Sequence, residues 1–196
     1  MSISHQERMQ KKKAVIDGKI DAAKVERGVL VVHTGNGKGK SSAAFGVLAR
    51  ALGHGQRAAV VQFVKGRSDT GEEAFFRQQP GVNWHTGGEG FTWETQDKAR
   101  DAAAAQAAWA VACGHLADPG IDLVILDELT YAFKYQWLDL DAVCAALRAR
   151  APMQHVIVTG RGAPPALREL ADTVSDIGME KHAFQAGVQA MPGLEW

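Results

Sequence analysis

The densest chemistry in the chain lies in one run, His33-Thr34-Gly35-Asn36-Gly37-Lys38-Gly39-Lys40-Ser41-Ser42. Gly35, Gly37 and Gly39 let the backbone bend so that successive N–H groups converge on an anion. Lys40 adds a positive point charge, the start of the following helix adds its dipole, and the Ser41 hydroxyl can reach Mg²⁺. Asn36, Lys38 and Ser42 border the same bend and complete the candidate nucleotide-binding set. The spacing departs from G-x-x-x-x-G-K-[ST]: five positions before Gly39 stands Thr34, and the first glycine is Gly35. The loop is therefore a variant. A ligand-free glycine-rich turn is the plainer reading, but the strand–loop–helix setting and the two lysines favour a phosphate cradle.

A second cluster supplies the partner that such a loop needs. Val124-Ile125-Leu126 is followed by Asp127-Glu128, two acids at the end of an apolar strand, where a Mg²⁺ ligand or a water-positioning carboxylate belongs. Side chains alternate along a strand, so one acid faces the metal while the other bonds backbone or a neighbour. Arg161, in Thr159-Gly160-Arg161-Gly162, follows another apolar strand and is placed to meet phosphate oxygens with its planar fork. Arg50 and Lys65 are further candidates for phosphate contact, against the plainer alternative of surface ion pairs.

A third segment, Gly90-Phe91-Thr92-Trp93-Glu94-Thr95-Gln96, carries two large aromatics in a polar stretch without periodic apolar neighbours. Aromatics in such a loop present a flat surface to a ligand or partner; the alternative is that Phe91 and Trp93 seal the core.

These residues need a scaffold that brings them to one edge. Residues 29–33, 58–65, 122–127 and 155–159 read as buried strands, with residues 173–177 as a last one. Between them, helical patterns cover residues 41–52, a long Ala-rich stretch from Thr95 to Ala117, residues 139–150, and a short helix opened by Pro164-Pro165. A looser stretch that includes residues 81–86 shows no clear pattern. Apolar strands separated by helices imply an α/β fold, a mostly parallel sheet with helices on both faces, of the P-loop NTPase kind. Ligands of such sheets bind at the carboxyl ends of the strands. Residues 1–27 form a basic N-terminal arm, and residues 28–196 the nucleotide-binding catalytic domain. The arm is either a frayed, solvated extension or a mobile segment that orders over a ligand.

Bulk properties exclude several classes. The 196 residues hold 46% hydrophobic and 22% charged residues, a composition that supports a globular core. Basic and acidic residues balance at 22 each, so no global field favours nucleic acid or a membrane surface. The arm is locally basic, with seven Lys/Arg against four Asp/Glu. Cys113 and Cys144 lie in Ala-rich helical patterns without metal-ligand spacing, which reads as core packing. The absence of a spanning apolar stretch and of a signal-peptide pattern points to a reduced, cytoplasmic setting.

The chain resembles the P-loop type of ATP:corrinoid adenosyltransferase. The resemblance runs from Gly28 to Trp196 and rests on TGNGKGKSSAAFG at 34–46, VQFVKG at 61–66, GFTWETQ at 90–96, LDELTY at 126–131, VIVTGRG at 156–162 and KHAFQAG at 181–187. Two departures are small: Ser41-Ser42 stands where the family more often has two threonines, and Trp196 where tyrosine is usual. The resemblance implies transfer of the 5′-deoxyadenosyl group of ATP to Co(I) of a corrinoid with release of triphosphate. It implies a nucleotide bound in reverse, with Mg²⁺, and no general base. Phe91 and Trp93 then occupy the lower face of the cobalt, and Lys40 stabilises the leaving triphosphate. It further implies a homodimer, a reduced flavoprotein as electron donor, and an arm that folds over the corrinoid. On the residues alone, a phosphotransferase or ATPase with the same cradle, or a nucleotide-sensing module, stays open.

Overall fold

The computed structural model describes residues 4–64, 70–87 and 98–195. Ser4 opens helix α1 (His5–Ala22) with a capping box, its hydroxyl accepting from the Glu7 N–H while the Glu7 carboxylate accepts from the Ser4 N–H. No residue of α1 is buried. Arg27 then grips Asp172, whose carboxylate also accepts from the Leu30 N–H, and this fixes the point where the arm meets the sheet.

The elements that follow are β1 (Leu30–Thr34), α2 (Lys40–Gly53), β2 (Ala58–Gln62), α3 (Gly71–Phe76), β3 (Val82–Thr86), α4 (Lys98–Ala117), β4 (Leu123–Asp127), α5 (Thr130–Lys134), α6 (Leu140–Ala149), β5 (His155–Thr159), α7 (Pro165–Leu170) and β6 (Thr173–Asp176), with a 3₁₀ turn at Ala183–Ala186 near the end. Among the described residues the strands form one parallel sheet in the order β3-β2-β4-β5-β1-β6.

Strand alternation divides the apolar residues between two cores. Leu30, Val32, Val61, Val124, Leu126, Val156 and Val158 face α4, α6 and α7, meeting Ala105, Ala108, Ala112, Val143, Leu147 and Leu167. Val60, Leu123, Ile125 and Ile157 face α2 and meet Ala44, Phe45 and Leu48, with Phe76 and Trp84 closing that side. Alanine lets α4 lie close to the sheet, and leucine and valine fill the wider gaps. Cys144 is buried in this packing and Cys113 is half-buried on α4.

The expected α/β fold is the observed one, and its strands and main helices match to within a few residues. The stretch left without a pattern holds α3 and β3; β3 is the edge strand, where apolar alternation is weakest. The Thr95 cap expected for the Ala-rich helix lies outside the described residues. No helix among the described residues is long and apolar enough to cross a membrane.

Candidate functional site

The strand order explains why distant motifs meet. β1 pairs with β5, and β5 with β4, so the loops leaving these three strands are neighbours at the carboxyl edge. The glycine-rich loop, Gly160-Arg161 and the Asp127-Glu128 pair all stand there.

Thr34 ends β1 with its side chain buried, and its Oγ1 accepts from the Ala163 N–H at 3.1 Å. Where the common spacing has glycine, a threonine hydroxyl thus ties the phosphate loop to the loop after β5. Gly35 takes the bend itself: its φ is +101°, and a Cβ there would fall 2.4 Å from the Ile177 carbonyl oxygen. The Gly37 N–H donates to that same carbonyl at 2.7 Å. Lys38 pairs with Glu195 from the chain's end, so the loop is held from the β6 side by residues 176–178 and by Glu195. Beside it, Thr34, Gly35, Asn36, Gly162, Arg168 and Asp176 help to line a cavity of about 340 Å³.

α2 starts at Lys40, which is only 6% exposed, and its ammonium donates to the Gly37 carbonyl at 2.6 Å. Burial lowers the Lys40 pKa, and the Arg161 charge lowers it further, against the opposing pull of Glu128. Ser41 is half-buried in the first turn of α2; Asn36, Lys38, Gly39 and Ser42 are exposed.

The two acids differ. Asp127 is 3% exposed, and both of its oxygens are engaged: the Thr159 hydroxyl donates to Oδ1 at 2.7 Å and the Gln62 amide to Oδ2 at 3.1 Å. Glu128 adopts a left-handed φ of +58°, uncommon for a residue with a side chain, and its N–H donates to the Thr159 hydroxyl at 3.0 Å. The Glu128 Oε2 is buried and has no hydrogen-bond partner. Burial, then the Asp127 charge, push the Glu128 pKa up to about 7, while Lys40 and Arg161 act in the opposite sense. A hard-oxygen cation fits this arrangement: Mg²⁺ takes one or two carboxylates plus phosphates, and Glu128 with the Ser41 hydroxyl are suitable donors.

Arg161 is exposed; its Nη1 donates to the Tyr131 hydroxyl at 3.2 Å, and its carbonyl accepts from the Thr130 hydroxyl at 2.8 Å. The charges of Arg161, Glu128 and Asp127 reach Lys40, and those of Asp127, Lys40 and Arg161 reach Glu128, so the four groups stand close together. Arg50 is not brought in. It lies in the last turn of α2, ten residues and about 15 Å of helix from Lys40, beside His54 and His155 at the opposite edge of the sheet. Lys65, Phe91 and Trp93 lie outside the described residues. Gln62, Thr159 and Tyr131 were not picked out as site residues from the sequence; the available signal was a polar residue closing an apolar strand.

Beyond β4, Tyr131 stacks on Tyr135 at 6.2 Å and Tyr135 on Trp137 at 5.0 Å. Lys98, Asp101, Ala102, Lys134, Tyr135 and Trp137 help to line a cavity of about 650 Å³ there.

A glycine-rich loop after the first strand of a parallel sheet, with an acid pair ending a strand two places away, gives the chain a P-loop-like fold. A family model described as "ATP:corrinoid adenosyltransferase BtuR/CobO/CobP" matches residues 26–196, and one described as "Cob(I)alamin adenosyltransferase N terminal" matches residues 5–20. The chain is 61% identical to a corrinoid adenosyltransferase of Pseudomonas aeruginosa, over 98% of this chain and 95% of that one. It is 48% identical to the corrinoid adenosyltransferase CobA of Salmonella typhimurium, over 98% and 97%, and 46% identical to that of Escherichia coli K12 over the same shares. The chain belongs to the ATP:corrinoid adenosyltransferase family.

Proposed function

We propose that this protein transfers the 5′-deoxyadenosyl group of ATP to the Co(I) of a corrinoid and releases triphosphate. Family membership over nearly the whole chain is the observation that carries the reading. In the reaction, Co(I) supplies an electron pair to C5′ and a Co–C bond forms. The C5′–O bond breaks with its pair on the triphosphate, and cobalt ends formally as Co(III).

A nucleophile this strong needs no general base, and the protein's task is to hold the tail and neutralise its charge. Lys40, the loop N–H groups and Arg161 would supply that charge where triphosphate departs. Glu128 and the Ser41 hydroxyl would hold Mg²⁺, which screens the polyphosphate when bound. The nucleotide would lie reversed, with its ribose toward the corrinoid. Phe91 and Trp93 would take the cobalt's lower face, with residues 1–27 closing over the ring. The 650 Å³ cavity with Tyr135 and Trp137 would offer a corrinoid flat apolar surface. The working form would be a cytoplasmic homodimer served by a reduced flavoprotein.

The test is an anaerobic incubation with MgATP and chemically reduced cobalamin. Equal yields of triphosphate and adenosylcobalamin are expected. ADP formed with no cobalt–carbon product would replace this reading with a phosphotransferase or ATPase.

A further inference from the structure

Four buried side chains on four adjacent strands form one hydrogen-bonded row beneath the start of α2. The Trp84 indole N–H on β3 donates to Gln62 Oε1 at 3.2 Å, and Gln62 Nε2 on β2 donates to Asp127 Oδ2 at 3.1 Å. On the other side the Thr159 hydroxyl on β5 donates to Asp127 Oδ1 at 2.7 Å. At the centre of the row Gln62 is the direct register partner of Asp127, and Trp84 reaches Gln62 diagonally from its place opposite Val60.

The chemistry of its ends allows only one orientation of the central amide. An indole N–H can only donate and a carboxylate can only accept, so Gln62 must turn its oxygen to Trp84 and its NH₂ to Asp127. Each oxygen of Asp127 thereby has a protein donor, while the adjacent Glu128 keeps an oxygen without a partner. Without the amide, the buried carboxylate would keep one donor, the Thr159 hydroxyl, which also holds the Glu128 N–H, so a shift of Asp127 would misplace Glu128.

We propose that Gln62, oriented by Trp84, is a positioning residue that holds Asp127 inward and leaves Glu128 as the carboxylate for the nucleotide's divalent cation. The inference rests on the reading above only in taking a metal–ATP complex as the ligand of the loop. Gln62 need not touch the cation; it acts through Asp127, as outer partners do at metal sites.

The experiment uses full-length protein and Mn²⁺ as the probe, following free Mn²⁺ by electron paramagnetic resonance as it is titrated with ATP and protein. Metal-free ATP binding is measured separately by calorimetry. Gln62→Leu is expected to weaken Mn²⁺·ATP binding about 10- to 100-fold, with metal-free ATP binding within about twofold of wild type. Trp84→Phe removes one N–H while keeping an aromatic ring against Phe45 and Phe76, and is expected to shift Mn²⁺·ATP binding in the same direction by a smaller factor. It also carries the test should Gln62→Leu fail to fold. Wild-type Mn²⁺·ATP affinity in the folded variants would overturn the proposal. So would equal losses with and without metal, the mark of a row that only holds the fold together. Because the readout is metal binding, it stands apart from the product assay: a wild-type protein that makes ADP would end the transfer reading and leave this result intact.

Discussion

The Lys40 ammonium donates to the carbonyl of Gly37 at 2.6 Å, so the loop's main cation is folded back onto the loop itself. The same bend that converges N–H groups on an anion turns one carbonyl inward, and Lys40 satisfies it. Burial and the Arg161 charge both disfavour the ammonium there, and in the proposed reaction the triphosphate's negative charge would offset both. Lys40→Ala is expected to lower the transfer rate by roughly 100-fold or more, with the thermal midpoint little changed. Turnover near the wild-type rate would remove the loop from the mechanism.

Gly160 is where the backbone leaves no room for a side chain. Its φ is +136°, and a Cβ would fall 2.1 Å from the Thr130 hydroxyl, which itself bonds the Arg161 carbonyl. Gly160→Ala is expected to destabilise the fold by about 2 kcal/mol or more, by strain and displaced packing, and to loosen Arg161 with it. Chemical denaturation measures the first effect. Pairing with Thr130→Ala should recover part of the loss; a Gly160→Ala protein as stable as wild type would contradict the contact.

The aromatic segment makes a prediction that separates two roles. If Trp93 removes the lower ligand of cobalt, Trp93→Ala impairs reaction starting from cob(II)alamin far more than from pre-reduced cob(I)alamin. Rates from the two starting states, taken side by side, give the answer. Equal losses would mean that the indole packs and does no more.

How far the sequence could be read follows from what each residue's signal is made of. The run of residues 155–159 is apolar because β5 is covered on both faces, and it was read with the bounds that the structure has. β3 carries little apolar signal: in Val82–Thr86 only Trp84 is buried, and the polar Asn83 and His85 flank it. The acid pair was legible as a pair, but which of the two the sheet holds was not, since Asp127 is bonded by Gln62 and Thr159, 65 and 32 residues away in the chain. Arg50 shows the converse case. A cation on the helix that leaves the loop looks close in sequence, yet three turns of helix carry it to the far edge.

The joint between arm and sheet gives a pH-dependent prediction. Arg27 bonds Asp172 through both of its terminal nitrogens, at 2.9 and 2.5 Å, and the Leu30 N–H adds a third donor. The Arg27 hydrogen bond, aided by the Leu30 N–H, holds the Asp172 pKa at about 2, below the ordinary 3.8. A carboxylate held lower in the folded state than in the unfolded one stabilises the fold above the unfolded value. That contribution fades as pH falls from about 4 toward 2 and is gone below the folded pKa. Asp172→Asn removes the charge at every pH. It is expected to cost on the order of 1 kcal/mol near neutrality, because Arg27 is largely solvated, with the difference from wild type closing between pH 4 and 2. Urea unfolding of both proteins across that range measures it, and a difference that held constant down to pH 2 would show that the carboxylate's charge is not what anchors the arm.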